Sequence, residues 1–264
     1  MHRRIVLLIA ALAFLVLVVA VSTATALTPT TTSTIALPLI RKDSTPTPTP
    51  TPPTFSDDFS NPSSGWPVNE DSISKVGYLG GEYQILVKQG NYIVRAGNNY
   101  QASDFQVELD ARDAGSVDGS VGMYFGSVTN VGFYDFEVAY GQFDLIRYDL
   151  TNINNSQTLI NPTVNSAIQS GNASNHLKAT RSGSTITLFA NGTQLAQISD
   201  STLGFGFVGL AATAFLNNFD ARFDNFYLVE AAPQHVRASG AGPADLENTA
   251  PLPALRSGWL SIPR

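Results

Sequence analysis

One stretch of alternating strand and turn residues constrains the fold more than any other part of the chain. Between Asn175 and Leu210, apolar and polar residues alternate in short segments that turn formers separate. Alternation with a period of two is typical of strands with one buried and one wet face. Asn191-Gly192 stands at one reversal, and this dipeptide favours a two-residue type I′ turn because both central residues need positive φ. The stretch therefore predicts an antiparallel meander.

The meander has defined segments. Ser182-Gly183-Ser184 makes its other turn, so the pattern predicts strands at Leu177–Arg181, Thr185–Ala190 and Thr193–Ser199, and Gly206–Leu210 begins a fourth strand.

Strand patterns continue on both sides of the meander, without a helical period between Phe55 and Glu230. Asn152–Gln157 and Pro162–Asn172 are predicted to be polar loops. Short strands joined by hairpins predict an all-β fold, a two-sheet antiparallel β-sandwich. The further predicted strands are Asp57–Ser60, Glu82–Val87, Tyr92–Arg95, Phe105–Arg112, Ser120–Phe125, Phe133–Val138, Phe143–Asp149 and Ala221–Val229.

Four regions follow one another along the 264 residues. Residues 1–26 read as a signal peptide: Arg3 and Arg4 precede the apolar run Ile5–Val21, and Ala24-Thr25-Ala26 supplies the small residues that a signal peptidase needs. The competing interpretation is an uncleaved membrane anchor, although about 17 residues span only about 26 Å. The segment predicts a secreted or cell-surface protein that contacts a membrane only if the leader stays attached.

The remaining boundaries follow composition. Residues 27–54 form a linker rich in Thr and Pro, which extends as a polyproline-like spacer. Residues 55–230 form the β-sandwich, which at about 175 residues buries about 70% of its unfolded surface. Residues 231–264 lose the strand pattern and predict a flexible tail. Trp259, Leu260 and Ile262 are unusual in such a tail and suggest that it docks somewhere.

Charge and cysteine usage exclude some classes of partner and scaffold. The net charge is -6 and the chain has no basic run, which argues against nucleic acid, since such binders neutralise phosphates with Lys and Arg. The chain has no cysteine, so no disulfide framework holds the domain. For an exported chain this composition favours a bacterial envelope or extracellular protein.

Several motifs resemble a known superfamily. They are Gly119-Ser-Val-Gly-Met-Tyr-Phe, Tyr134-Asp-Phe-Glu-Val, Gln142-Phe-Asp-Leu-Ile-Arg, Asn175-His-Leu, Ala190-Asn-Gly, Asp200 with Gly206-Phe-Val-Gly-Leu, and Phe223-Asp-Asn-Phe. In this order they resemble the concanavalin A-like lectin/glucanase jelly rolls, and are most similar to bacterial laminin-G-like and 3-keto-disaccharide hydrolase domains. The resemblance implies a sandwich whose concave face holds sugar, in a group that includes glycan-binding modules and hydrolases.

Paired carboxylates are the candidate catalytic residues. Glycosidases need two carboxylates about 5 to 9.5 Å apart. Glu108 and Asp110 share one face of a predicted strand, as do Asp135 and Glu137. For both pairs a solvated strand face is the alternative that we favour. His176 is the single histidine inside the domain, so it builds no triad or zinc site, and we expect it to pack.

Rings beside polar groups are the candidate ligand-binding residues, because the CH face of a sugar packs on an aromatic ring while its hydroxyls need partners. The candidates are Arg95, Tyr124, Tyr134, Glu137 and Arg147, with Tyr140 and Tyr148 as further rings. The core is predicted to hold Phe125, Phe136, Phe143, Phe207, Phe223 and Phe226.

A structural calcium ion is a further prediction. First and last strands are commonly neighbours in jelly rolls, which would bring Asp57 or Asp58 to Asp224, and carboxylate oxygens suit calcium. Ordinary turn capping by Asp is the alternative, and it is the one that we favour.

The leading hypothesis is an exported, non-catalytic domain that binds carbohydrate or another ligand at the bacterial cell surface, with a glycan or cell-envelope polymer as partner. The alternatives are a glycoside hydrolase that uses the paired carboxylates and a structural envelope protein that assembles through its sheet edges.

Overall fold

The computed structural model describes residues 55–115 and 118–230, and the backbone of Leu246–Asn248. The predicted signal peptide or anchor, the linker and most of the predicted tail lie outside these residues and stay predictions. In the described part of the chain, no helix has the length and apolarity required to cross a bilayer.

The described residues contain sixteen strands and one 3₁₀ turn, Ile153–Asn155. The strands are β1 (Phe55–Asp57), β2 (Asn69–Glu70), β3 (Ser74–Leu79), β4 (Glu82–Val87), β5 (Tyr92–Ala102), β6 (Phe105–Asp113), β7 (Gly119–Val128), β8 (Gly132–Ala139), β9 (Gln142–Asp149), β10 (Gln157–Val164), β11 (Asn175–Ser182), β12 (Thr185–Ala190), β13 (Thr193–Ser199), β14 (Gly206–Ala214), β15 (Phe219–Glu230) and β16 (Leu246–Asn248).

The strands form two antiparallel sheets, which confirms the predicted two-sheet sandwich. The first sheet runs β13-β12-β11-β6-β15-β4-β3-β2, and β1 also pairs with β15. The second runs β10-β9-β8-β7-β14-β5-β16. Local hairpins join neighbours such as β7, β8 and β9, whereas the central pairs β6–β15 and β7–β14 join strands that are distant in the sequence.

The predicted meander is present as β11, β12 and β13. Asn191 and Gly192 have φ of 50° and 80°, as a type I′ turn requires. The fourth strand, β14, lies in the second sheet between β7 and β5. The loop predicted at Pro162–Asn172 is wrong in part, because β10 extends to Val164 and pairs with β9.

Alternation along each strand places the main core between the sheets. In β6, Val107, Leu109 and Ala111 are buried in the core, while the residues between them face outwards. Of the phenylalanines predicted for the core, Phe207 is an exception, because it packs against a second apolar cluster on the outer face of the second sheet. The other five lie in the main core.

An aromatic group surrounds Trp66 in the main core. The Trp66 ring packs edge-on against Phe59 at 5.1 Å and against Phe226 at 5.1 Å between ring centroids. Its indole Nε1 donates to Asp57 Oδ2 at 2.9 Å. The first strand is thereby fixed beside β15.

Candidate functional site

The second sheet carries polar side chains on its outer face. On β8, Tyr134, Phe136 and Val138 point into the main core, so the alternate residues Asp135 and Glu137 point the other way. Asp135 and Glu137 are nevertheless fully buried.

Cross-strand register lines up charged residues at the two sides of this face. Asp144 of β9 stands opposite Glu137 of β8, Glu137 opposite Gly122 of β7, Gly122 opposite Ala211 of β14, and Ala211 opposite Arg95 of β5. The row therefore places two carboxylates on one side, an arginine on the other and the two smallest side chains between them. We call the outward side chains of Asp135, Glu137, Asp144, Arg95 and Tyr124 the acidic face.

Side-chain hydroxyls hold the Glu137 carboxylate. Ser120 Oγ donates to Glu137 Oε2, and Thr213 Oγ1 donates to Oε1 at 3.1 Å. Both hydroxyl residues are buried, from β7 and β14. Hydrogen bonds to a charged acceptor contribute about 1.5–3 kcal/mol each, which helps to offset the cost of removing the carboxylate from water.

Arg95 is held by rings and by one hydroxyl. Its guanidinium carbon lies 3.8 Å from the Phe133 ring centroid and 5.1 Å from that of Tyr124. Its Nη1 donates to Ser127 Oγ at 2.9 Å. Cation–π contacts gain strength when the cation is desolvated, so the rings stabilise a buried positive charge here.

Glycines on the neighbouring strands make room for the Tyr124 ring. A Cβ at Gly97 would overlap the Tyr124 hydroxyl, and one at Gly209 would stand 2.7 Å from its Cε1. The ring therefore lies close over the backbone of β14 and β5. Phe133 and Tyr148 stack beside it with centroids 4.8 Å apart.

Of the predicted ligand residues, the structure brings Arg95, Tyr124 and Glu137 to one face. The other two, Tyr134 and Arg147, lie elsewhere. Tyr134 is buried in the main core, and its hydroxyl donates to Asp200 Oδ1 at 2.6 Å and accepts from Leu203 N at 3.2 Å. Burial, followed by this bond to a carboxylate, raises the Tyr134 pKa to about 12.

Arg147 faces the same side of the second sheet as Tyr134. Its Nη1 donates to Asp200 Oδ2, and to Thr202 Oγ1 at 2.7 Å. Arg147 and Tyr134 therefore bind the segment between β13 and β14 to the second sheet, away from the acidic face.

The predicted catalytic candidates Glu108 and Asp110 lie on the opposite side of the molecule, on the outer face of the first sheet. His176 Nδ1 is 2.7 Å from Asp110 Oδ1, and its Nε2 is 2.9 Å from Glu108 Oε2. The packing role expected for His176 is wrong, because its side chain is 44% exposed and bridges two acids. Glu137 is on the other outer face, so it shares no site with Glu108 or Asp110.

Burial by itself lowers the His176 pKa, but hydrogen bonds to Asp110 and Glu108 and their negative charges raise it overall above its ordinary value. His176 of β11 therefore bridges Glu108 and Asp110 of β6 through its two ring nitrogens.

The predicted calcium ligands have local partners. The expected neighbourhood of first and last strands is present, since β1 pairs with β15. Asp57 accepts from Phe59 N and Trp66 Nε1, Asp58 accepts from Ser60, and Asp224 accepts from Asn225 N. Over residues 55–115 and 118–230, no three His, Asp or Glu side chains are grouped as a metal site. Calcium stays a prediction.

Asp144, Ser120 and Thr213 are residues of the site that sequence reasoning missed. The sequence signal for Asp144 is Gly141 between two strand patterns; in the structure Tyr140 and Gly141 form a two-residue turn there, with φ of 51° and 74°. Such a turn fixes the hairpin register and sets residue 144 opposite 137. Ser120 and Thr213 join the site through the distant pairing of β7 with β14, for which the sequence has no local signal.

Solved structures share this architecture, whereas no protein-family model and no curated protein matches the sequence. An apo Crh5 transglycosylase aligns with a TM-score of 0.51 and 11% identity, over 68% of this chain and 85% of that one. At this identity the likeness shows a shared fold, in agreement with the predicted two-sheet sandwich.

Two further solved structures align at a TM-score of 0.49. Carbohydrate-binding module CBM66 from Bacillus subtilis is 18% identical over 62% of this chain and 94% of its own. A Bacillus licheniformis beta-glucanase is 12% identical over 68% of this chain and 99% of its own. The resemblance of this chain to concanavalin A-like jelly rolls, and its closer similarity to laminin-G-like domains, stay predictions.

Proposed function

We propose that this chain is an exported glycan-binding jelly roll and that the acidic face of its second sheet is the binding surface. The observation that carries the proposal is the chemistry of that face: three carboxylates and an arginine lie together, fully or almost fully buried, beside aromatic rings. A face with a structural role alone gains stability from apolar residues instead, because burying charges costs several kcal/mol per ion.

A carbohydrate suits this combination of groups. Because these groups are buried, binding requires the face to open. The hydroxyls of the sugar can then donate to Glu137 and Asp144 and accept from Arg95, while its CH face packs on the Tyr124 ring.

Binding measurements on purified polysaccharides and a glycan array test the proposal. We expect Glu137→Gln and Tyr124→Ala to weaken binding by about tenfold or more, since each removes an interaction of about 1–3 kcal/mol. The matched control is Glu82→Gln on the outer face of the first sheet, where Glu82 pairs with Arg112. Folded protein that binds no glycan, or Glu82→Gln binding as weakly as Glu137→Gln, would overturn the proposal.

The direct opposition of Glu137 and Asp144 favours a second candidate function, glycoside hydrolysis. Directly opposed residues have Cβ atoms about 4.5–5.5 Å apart, which lets two carboxyl groups reach the separation of about 5–5.5 Å found in retaining glycosidases. Release of reducing ends from the bound glycan would identify this activity. It should vanish in Glu137→Gln and in Asp144→Asn and persist in Glu108→Gln; the opposite pattern would exclude the acidic face as the catalytic site.

A further inference from the structure

A pocket opens between the two sheets at one end of the sandwich, where β6 ends and β7 and β15 begin. We call it the end pocket; its volume is about 110 Å³. A single water needs only about 10–15 Å³ of such space, so a group of several non-hydrogen atoms fits. Its inner wall is apolar and consists of the main-core residues Val121, Val138 and Phe219. The end pocket is separate from the acidic face, which lies on the outside of the second sheet.

Asp113 presents a carboxylate to the end pocket from a core-facing position. Along β6, the side chains of Val107, Leu109 and Ala111 are buried in the main core, and Asp113 is the next residue of the same parity. Its partner across the sheet, Ala221, is also buried in the core. An acid on a solvated face needs no special explanation, whereas an acid in a core-facing row costs free energy unless it has partners.

One backbone donor is bonded to the Asp113 carboxylate, since Gly115 N donates to its Oδ1 at 2.8 Å. The neighbouring Arg112 donates instead to Glu82, through Nε at 2.8 Å and Nη2 at 2.6 Å. In the described part of the chain, no Lys, Arg or His forms an ion pair with Asp113. Burial, and then the negative charge of Asp220, raise the Asp113 pKa despite the bond from Gly115. The ionised carboxyl would therefore gain from an added cation.

An aromatic ring stands beside this carboxylate. Tyr140 has a φ of 51°, which is unusual for a bulky residue, and Asn or Gly suits that turn position better. Tyr140 lines the end pocket and is 39% exposed. Burial, and then the charge of Asp113, raise the pKa of Tyr140 to about 12. Because aromatic faces attract cations, the ring and the carboxylate favour the same kind of ligand.

The segment 165–175 supplies the remaining wall, and a buried amide holds it in place. Asn175 Oδ1 accepts from Gln169 N at 2.8 Å, and Asn175 Nδ2 donates to Gln169 O at 3.0 Å. Next to this wall, a Cβ at Gly171 would meet no atom within 4 Å, so the pocket is open to a ligand there. A preformed pocket needs little ordering when it binds.

We propose that the end pocket binds an ammonium group on an unbranched alkyl stem, the chemistry of a lysine side chain from a partner protein. The ammonium lies at Asp113 and the Tyr140 ring, and the stem packs on Val121 and Val138. An amino sugar carries its ammonium on the ring itself, so the ring would have to enter the pocket, whereas the slender stem of lysine needs far less space. This proposal does not depend on the glycan function of the acidic face.

Amide chemical shifts of the full chain, titrated with n-butylammonium chloride, test the pocket. We expect a Kd of about 1–10 mM for a ligand of five non-hydrogen atoms, with the largest shifts at Gly115, Gly119 and Gly171. The neutral isostere 1-butanol should bind at least about tenfold more weakly, and sodium chloride at equal concentration corrects for ionic strength. Butanol that binds equally well, or shifts confined to other residues, would overturn the proposal.

Variants of the pocket residues separate charge from shape. Asp113→Asn should weaken n-butylammonium binding at least about tenfold and should still fold, because the raised pKa means that the neutral form suits the folded state. The matched control is Asp104→Asn at the other end of β6, where Asp104 accepts from Gly183 N; it should bind as wild type does. Tyr140→Asn keeps a residue that tolerates positive φ and should weaken binding several-fold. Wild-type binding by folded Asp113→Asn overturns the proposal.

Larger ligands identify the source of the ammonium. Nα-acetyl-lysine methylamide should bind at least as tightly as n-butylammonium and should lose binding in Asp113→Asn. Ala173→Leu, which narrows the pocket without changing its charge, should exclude both ligands. Tighter binding of glucosamine than of the lysine derivative overturns the assignment to lysine. Rejection of the lysine derivative by a chain that binds n-butylammonium overturns it as well.

Discussion

Replacing Asp200 with alanine removes an acceptor that joins the second sheet to the segment between β13 and β14. Asp200 accepts from Tyr134 Oη at 2.6 Å, from Thr202 N at 2.8 Å and from Arg147 Nη1. Hydrogen bonds to a charged group contribute about 1.5–3 kcal/mol each but are not additive within one network. Because Tyr134 is fully buried, its hydroxyl also loses a partner. We expect Asp200→Ala to cost about 3 kcal/mol of unfolding free energy.

Thermal unfolding and urea titration measure this loss. For a domain of this size 1 kcal/mol shifts Tm by about 2–4 °C, so Asp200→Ala should lower Tm by about 6–12 °C. Asp200→Asn keeps one acceptor for Tyr134 and should lose about half as much. The control is Asp58→Asn, an exposed turn cap, which should leave Tm within about 1 °C.

The contribution of Asp200 should also depend on pH. Burial by itself raises its pKa, but the bonds from Tyr134 and Thr202 and the charge of Arg147 hold it below the ordinary 3.8. A carboxyl with a lowered folded-state pKa stabilises the fold above its unfolded pKa, and the stabilisation disappears as pH falls through the folded value. The difference between wild type and Asp200→Ala should therefore shrink below pH 3.8. A difference that stays constant down to full protonation, or a Tm loss under about 2 °C at pH 7, would refute the reasoning.

Two further substitutions and one titration test other parts of the molecule. Gly122→Ala should lower Tm by more than about 10 °C, because its Cβ would overlap the Phe136 carbonyl oxygen; Gly204→Ala, with open space around the site, is the control in the same thermal scan. Gly192→Ala should cost about 1 kcal/mol in urea titration from its φ of 80° alone. His176 should titrate above 6.5 by NMR, since its pKa is raised. Its contribution to stability, below about 1 kcal/mol for so exposed a group, is present at lower pH and is lost as pH rises through that pKa. A titration midpoint below 6.5 would contradict the bridge from His176 to Glu108 and Asp110.

Local sequence determined much of the fold of this protein. Alternation defined the two faces of each strand, and Asn191-Gly192 fixed the register of its hairpin, because both effects depend on residues a few positions apart. The same parity separates Tyr134 from Glu137 on β8. It cannot say which of the two sets faces the main core, since both contain aromatic residues, and so Tyr134 was predicted for a face that it does not share.

The tertiary structure alone decided how the acidic face is assembled. The residues of this face come from four strands, which lie side by side in the order β8-β7-β14-β5. They are Glu137, Ser120, Thr213 and Arg95, in the same order. These strands meet through pairings between segments that are far apart in the sequence. No local sequence pattern specifies such pairings. The identities of the charged residues were visible in the sequence; that they gather on one buried surface follows only from the packing of the two sheets.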